Sequence, residues 1–404
     1  MLTLIAIACT VTFVVTWTIS LNMYNDIIPG AVRRDEISAK LQEIDSFVRN
    51  NYFREINDEE VAVGMFTGYI SGVGDKNTIY MTADEYARHL NDEKGQFISG
   101  GIRAEQEASG YIEVIEVYSG STAESSGIVR GDLVTAIDGI DVLTLDTADA
   151  LRLLEGEENT RFTLTIRREG EDMEHSLVRR AIDVSSLEAE VINNVGFIKI
   201  HTFNELTAAQ FKETLEKFAE PETPEEAIRA LLIDVRANKS DFYSSVSEMV
   251  NGLISSERVA FTEHKGGSHR DFIVTDDSRV LPESLHDLPI MILADLGTSG
   301  AGELLAASLK SHAGAQIVGS NSAGDAYLRQ TQPLKDGSAV RVTIAQIGLF
   351  SDLEYADVGL TPDYAVEMPL EVSYNISELV GLEHAEIIDP QIRKAFEVIE
   401  TIIN

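Results

Sequence analysis

The sequence predicts an α/β protein in four parts: an N-terminal transmembrane helix, a helical segment, a small β-rich domain, and an α/β core of layered sheet and helices. Three observations carry this. Met1–Leu21 contains no charged side chain, about the length a helix needs to cross a bilayer. Short alternating strands punctuated by glycine turns begin near Phe97, as in a compact β-rich domain. Beyond Asp183 apolar strand-like runs alternate with helix-like ones, the order of a sheet covered by helices on both faces.

Composition narrows the function classes. The chain has 404 residues, 44 % of them hydrophobic, enough for two or three domains with their own cores. Its formal net charge of −35 repels nucleic acid at long range, so no nucleic-acid partner is expected. The one cysteine, Cys9, lies in the apolar N-terminal run, which rules out an intrachain disulfide or a cysteine-based zinc site. The stretch HKGGSHR places His264 and His269 close in sequence without an acidic partner at metal-ligand spacing, so it reads as a polar loop. No metal and no cofactor are expected.

The first part, residues 1–21, reads as a membrane anchor, because its apolar region is long for a cleaved signal and its small-residue cleavage pattern is weak. Arg33 and Arg34 follow it and no basic residue precedes it, a bias that by itself would keep the C-terminal side in the cytoplasm. In the second part, residues 35–96, Ile37, Leu41, Ile44 and Val48 fall on one helical face. That face packs on its own domain or on a second subunit. Thr82, three residues before Glu85, has the spacing of a capping box and starts a further helix.

The third part, residues 97–183, contains SGSTAESSGIVRGDLVTAIDG. The turn at Ser121, Thr122 and Ala123, the Ser126–Gly127 pair, Gly131–Asp132 and Asp138–Gly139 resemble a bacterial PDZ domain. Such a domain captures a peptide by adding it as a strand to an exposed edge, with backbone N–H groups of a glycine loop holding the terminal carboxylate. Ser99, Gly100, Gly101 and Ile102 form the candidate peptide-binding loop.

The fourth part, residues 184–404, carries GFIKIHTF near Gly196, LIDVRAN near Asp234, GAGELLAASL near Glu303, VGLTPDYAV near Pro362 and DPQIRKAFEVI near Gln391. With the parts before it, it resembles the C-terminal processing peptidases, or tail-specific proteases, over nearly the whole chain. The resemblance implies a Ser/Lys-dyad serine endopeptidase fold, protein C-termini as partners, and a body on the extracytoplasmic side of a single-pass anchor in the cell membrane. That orientation takes precedence over the bias of Arg33 and Arg34.

Carried over residue by residue, the resemblance gives a different answer for the chemistry. The family's Thr-Ala-Ser-Ala-Ser/Gly-Glu nucleophile segment matches Thr298, Ser299, Gly300, Ala301, Gly302 and Glu303, so the nucleophile position is Gly300. The family's Gly-Lys-Gly-x-x-Gln turn matches Gly324 to Arg329, so the base position is Asp325 and the supporting glutamine is Arg329. The oxyanion loop Asp-Leu-Arg-Asn-Asn-Pro-Gly-Gly matches Asp234 to Asp241 and ends in Lys239, Ser240 and Asp241. No catalytic residue of the family is intact.

Ser299 is the alternative nucleophile. One residue on a helix turns a side chain by about 100°, and a serine needs a base. Asp325 is a poor base at an ordinary carboxylate pKa. Lys335 lies in a surface turn by composition, and nothing in the spacing favours His201, His264, His269 or His312. The expected function is therefore a membrane-anchored protein that binds peptide or protein C-termini and has lost peptidase activity. Two alternatives remain: an active endopeptidase with a relocated nucleophile, and a scaffold or regulatory partner, as homodimer or heterodimer, of an active relative.

Overall fold

The computed structural model describes residues 35–107, 109–221, 223–254, 257–276, 282–368 and 389–403, and the chain divides into two compact units, Met1–Gly72 and Val73–Asn404. In the first, residues 35–51 form helix α1, which carries Ile37, Leu41, Ile44 and Val48. Helix α2 spans Asp58–Ser71 and starts at Asn57, whose side chain accepts the N–H groups of Glu59 and Glu60, a preferred N-cap arrangement. The expected transmembrane helix requires correction. Residues 1–21 lie outside the described residues, and among those described no helix is long and apolar enough to cross a membrane.

The second unit opens with β1 (Ile79–Met81) and α3 (Ala83–Lys94). The capping box read from Thr82 and Glu85 is present, and Gly95 closes α3 in the left-handed conformation. There follow β2 (Gln96–Ser99), β3 (Ile102–Gln106), β4 (Ile112–Val117), α4 (Thr122–Ser125), β5 (Leu133–Ile137), β6 (Ile140–Asp141), α5 (Thr147–Leu154), β7 (Arg161–Arg168), β8 (Glu171–Val178) and β9 (Arg180–Asp183). The sheet runs β3-β4-β5-β7-β8 with β6 on β5, and β2 pairs separately with β9. Alternation decides which face is buried: in β7 Phe162, Leu164 and Ile166 point inward and join Ile112, Val114 and Val134 in one core.

The core unit follows: β10 (Leu187–Ile192), β11 (Val195–Ile200), α6 (Thr207–Ala219), β12 (Ala230–Asp234), α7 (Tyr243–Leu253), β13 (Arg258–His264), β14 (Ser268–Val274), β15 (Ile290–Ala294), α8 (Ala301–His312), β16 (Gln316–Gly319), β17 (Tyr327–Pro333), β18 (Ala339–Leu349), β19 (Tyr364–Ala365) and α9 (Pro390–Ile403). One sheet has the order β10-β11-β12-β15-β16-β19, parallel from β11 onward. Every residue of β12 and β15 is buried, as a parallel sheet covered on both faces requires. Leu231, Ile233 and Ile292 pack in the cluster that contains Phe211, Val246 and Leu305 of α6, α7 and α8. Leu232, Met291 and Leu293 pack against Ile392 and Phe396 of α9. A second, antiparallel sheet has the order β1-β18-β13-β14 with β17 on β18.

This topology positions the site. β12 and β15 are parallel neighbours, with Asp234 opposite Leu293, so the loops after them leave the same edge of the sheet. Binding and chemistry in such folds occur at that edge.

Candidate functional site

The turn from β15 into α8 is tightly bound. Thr298 is fully buried. Its hydroxyl donates to the Val235 carbonyl at 3.0 Å, and it accepts the Asp295 N–H at 3.0 Å. The chain then reverses at Gly300, with φ 57° and ψ −116°, and enters α8 at Ala301. A positive φ of this kind is strained for any residue with a Cβ. It is also the sharp strand-to-helix turn on which nucleophile serines are presented. Here the apex holds glycine, and a Cβ there would lie 2.5 Å from the Ser240 carbonyl oxygen and 3.4 Å from the Tyr243 hydroxyl.

The loop after β12 occupies the space in front of this turn. Arg236 pairs with Asp234 at 2.7 Å and with Asp389 at 2.8 Å. Burial alone would raise the Asp234 carboxyl, but Arg236 outweighs it and holds the group below the usual range. From that anchor, Ala237 adopts φ 57° and its N–H donates to Asp295 at 2.9 Å. The Asn238 amide donates to the Ile200 carbonyl at 3.1 Å, and the Ser240 hydroxyl to the Phe203 carbonyl at 2.7 Å. Two backbone bonds then close the loop onto the turn: Ser299 N–H to the Asn238 carbonyl, and Ala301 N–H to the Ser240 carbonyl, each 2.8 Å. The Ala301 N–H is the donor that, one residue past a nucleophile, serves an oxyanion. It is already bonded.

The position that the resemblance matches to the base lies in a charged network. Glu303, fully buried on the first turn of α8, accepts the N–H groups of Gly324 at 2.6 Å and Asp325 at 2.7 Å, and the Ser322 hydroxyl. Burial pushes its carboxyl up despite these bonds. The Asp325 side chain is paired with Arg329, which is 5 % exposed. Arg329 also lies 3.7 Å from Asp241, and Arg341 donates to Asp241 at 3.0 Å. Burial would lower the Arg329 guanidinium, but the bond to Asp325 overrides it and raises the value. The Tyr243 hydroxyl donates to the Tyr327 carbonyl at 2.9 Å, and burial pushes this phenol well up. The positions that the resemblance matches to base, supporting glutamine and oxyanion loop thus form, with Arg341, one chain of alternating charge: Asp325, Arg329, Asp241, Arg341. Sequence reasoning missed Arg341, which lies 100 residues from Asp241 with no local signal.

The remaining sequence candidates do not converge on Ser299. His201 faces Glu188 at 3.1 Å, His269 faces Glu263 at 3.4 Å, His312 faces Glu257 at 3.1 Å, and His264 contacts Thr262. Lys335 lies in the turn joining β17 to β18, as its composition suggests. Among the described residues no group of His, Cys, Asp and Glu could hold a metal ion.

The second site is the edge of the β-rich domain. Among the described strands β3 pairs only with β4, and α5 lies beside it. Between them is a cavity of about 500 Å³ with Phe97, Ile102, Ala104, Leu151 and Leu154 in its wall. Of the four expected loop residues, Ile102 opens β3 on this cavity, whereas Ser99 ends β2 and Gly100 and Gly101 form the bend after it, all three buried. Gly101 has φ 95°, and a Cβ there would lie 2.0 Å from that of Ser121. Its N–H donates to the Ser99 hydroxyl at 2.9 Å, and the Gly100 carbonyl accepts the Ala123 N–H at 2.8 Å.

Comparison with known proteins agrees with these two regions. Residues 194–366 match the model of Peptidase family S41, and residues 113–168 match a PDZ domain. The chain is 26 % identical to a CtpA-like serine protease of Staphylococcus haemolyticus, over 85 % of this chain and 67 % of the relative. It is 25 % identical to a carboxy-terminal-processing protease of Bartonella bacilliformis, over 83 % and 76 %. Among solved structures it is similar to the photosystem II D1 C-terminal processing protease, with 19 % identity and a TM-score of 0.49 over 84 % of this chain and 90 % of the other.

Proposed function

The chain joins a PDZ domain to a Peptidase family S41 domain and is homologous to C-terminal processing peptidases, and from that premise we propose that it binds extended peptides without cleaving them. The observation that carries this reading is the hydrogen bond from the Ala301 N–H to the Ser240 carbonyl across an apex that is Gly300. Acyl transfer needs a nucleophile, a base within reach of it and free donors for the oxyanion. At the family's positions the apex has no side chain, the base is an acid bound to Arg329, and the helix donor is occupied.

The relocated-nucleophile reading requires a base at Ser299, and no observation supplies one. The PDZ groove, by contrast, keeps what strand addition needs: a free sheet edge, an apolar cavity and a helix along it. The test is to incubate the protein with an unstructured polypeptide, following cleavage by mass spectrometry and association by sedimentation. Association with the polypeptide intact supports the proposal, and cleavage by the wild type that disappears in Ser299→Ala would overturn it.

A further inference from the structure

The groove beside β3 carries its charge at one end. An isolated antiparallel bridge joins Ser99 to Glu155, so the residue just past α5 stands beside the Ser99–Gly101 bend. Glu155 and Asp92 line the same cavity as Ile102 and Leu154. Burial pushes both carboxyls up, and Asp92 adds to the rise of Glu155.

The cavity continues into a wider cleft along α3, which Asp92, Gln96, Phe97 and Glu155 also line. There Asp84, Glu85, Glu157 and Glu158 add further carboxylates. Three arginines face them, but Arg103 is paired with Glu116 at 3.0 Å and Arg152 with Asp149 at 2.9 Å. Arg88 is the cation that acts on both Asp92 and Glu155.

A C-terminal carboxylate seated at the bend would therefore meet two like charges, with the Gly101 N–H already donated to Ser99. Like charges in a partly desolvated cleft oppose binding, and opposite ones select the ligand. We propose that the groove takes an extended segment in which a bulky apolar residue, seated against Ile102, Leu151 and Leu154, is followed by lysine or arginine facing Asp92 and Glu155, and that a free α-carboxylate is disfavoured there. This rests on the peptide-binding reading above and names the ligand class of that same groove.

The experiment measures fluorescence anisotropy with the full chain and three labelled peptides sharing one apolar segment. In the first a leucine is followed by two lysines and an amide. In the second the lysines are glutamates, and the third ends at the leucine with a free carboxylate. The first should bind at least about tenfold tighter than either of the others and weaken with salt. Glu155→Gln with Asp92→Asn should remove the advantage, and Glu155→Gln alone should reduce it if the double variant does not fold.

Equal or tighter binding of the free carboxylate peptide would overturn this inference while leaving peptide binding in place. An advantage that survives in a folded charge-removed variant would also overturn it, by locating the attraction elsewhere on the acidic surface. Failure of all three peptides to bind the wild-type chain would overturn the peptide-binding reading itself.

Discussion

The Ser240 carbonyl oxygen accepts the Ala301 N–H at 2.8 Å, and the same oxygen lies 2.5 Å from where a Cβ on Gly300 would stand. One atom thus fills the donor that would stabilise an oxyanion and the space that a nucleophile's side chain would need. Loss of a single such donor costs about 10² to 10³ in rate. The two effects are coupled, because both follow from the path of residues 237–241 across the turn.

Restoring the family residues as Gly300→Ser with Asp325→Lys should therefore give no measurable peptidase activity. The serine must hold a positive φ and displace the loop, which should lower stability by about 2 to 4 kcal/mol. Thermal melting and cleavage of an unstructured protein measure the two effects. A stable double variant that cleaves would show that the loop yields at little cost.

Arg329 links Asp325 and Asp241 beside the turn into α8. Arg329→Gln leaves two carboxylates facing each other with Arg341 alone, and breaking a buried pair costs about 3 kcal/mol or more. Denaturant unfolding should show that loss. Asp325→Asn with Arg329→Gln should recover part of it, since the partner left unpaired is then neutral. Equal stability of the single and double variants would contradict the pairing.

The departures from the family's motifs were legible in sequence, because Gly300, Asp325 and Lys239–Ser240–Asp241 sit at motif positions. Beyond Asp183 the alternation that gives helices α6, α7 and α8 and the buried strands β12 and β15 was also legible from apolar runs. What surrounds those positions was not. In sequence Asp241 is only the last residue of the match to the oxyanion loop, yet Arg329 and Arg341 reach it from β17 and β18. Those strands were themselves hard to read: β17 is Tyr-Leu-Arg-Gln-Thr-Gln-Pro and none of it is fully buried. The bend at Ser99–Gly101 suggested carboxylate capture from its glycines, because Glu155 arrives beside it only through a long-range bridge.

The Gly131–Asp132 pair of the PDZ domain carries a pH dependence. Asp132 is 1 % exposed as a side chain and pairs with Arg168 at 2.6 Å. Burial opposes its ionised form, but the bonds from Arg168 and the Val129 N–H prevail and hold the carboxyl below its ordinary 3.8. Its contribution to stability is therefore present above that value and is lost as the pH falls through the lower folded value. Asp132→Asn should cost about 2 kcal/mol near neutral pH, with the gap to wild type narrowing below pH 3.8. A gap that widens on acidification would reverse the assignment.

The absence of an activated serine is tested most directly by labelling the intact wild-type chain with a fluorophosphonate, which reacts with an activated serine wherever it lies. An active C-terminal processing peptidase serves as the positive control and Ser299→Ala as the companion variant. No labelling of either form of this chain is expected. Stoichiometric labelling of the wild type that disappears in Ser299→Ala would contradict this, by showing that the nucleophile has moved one residue and found a base.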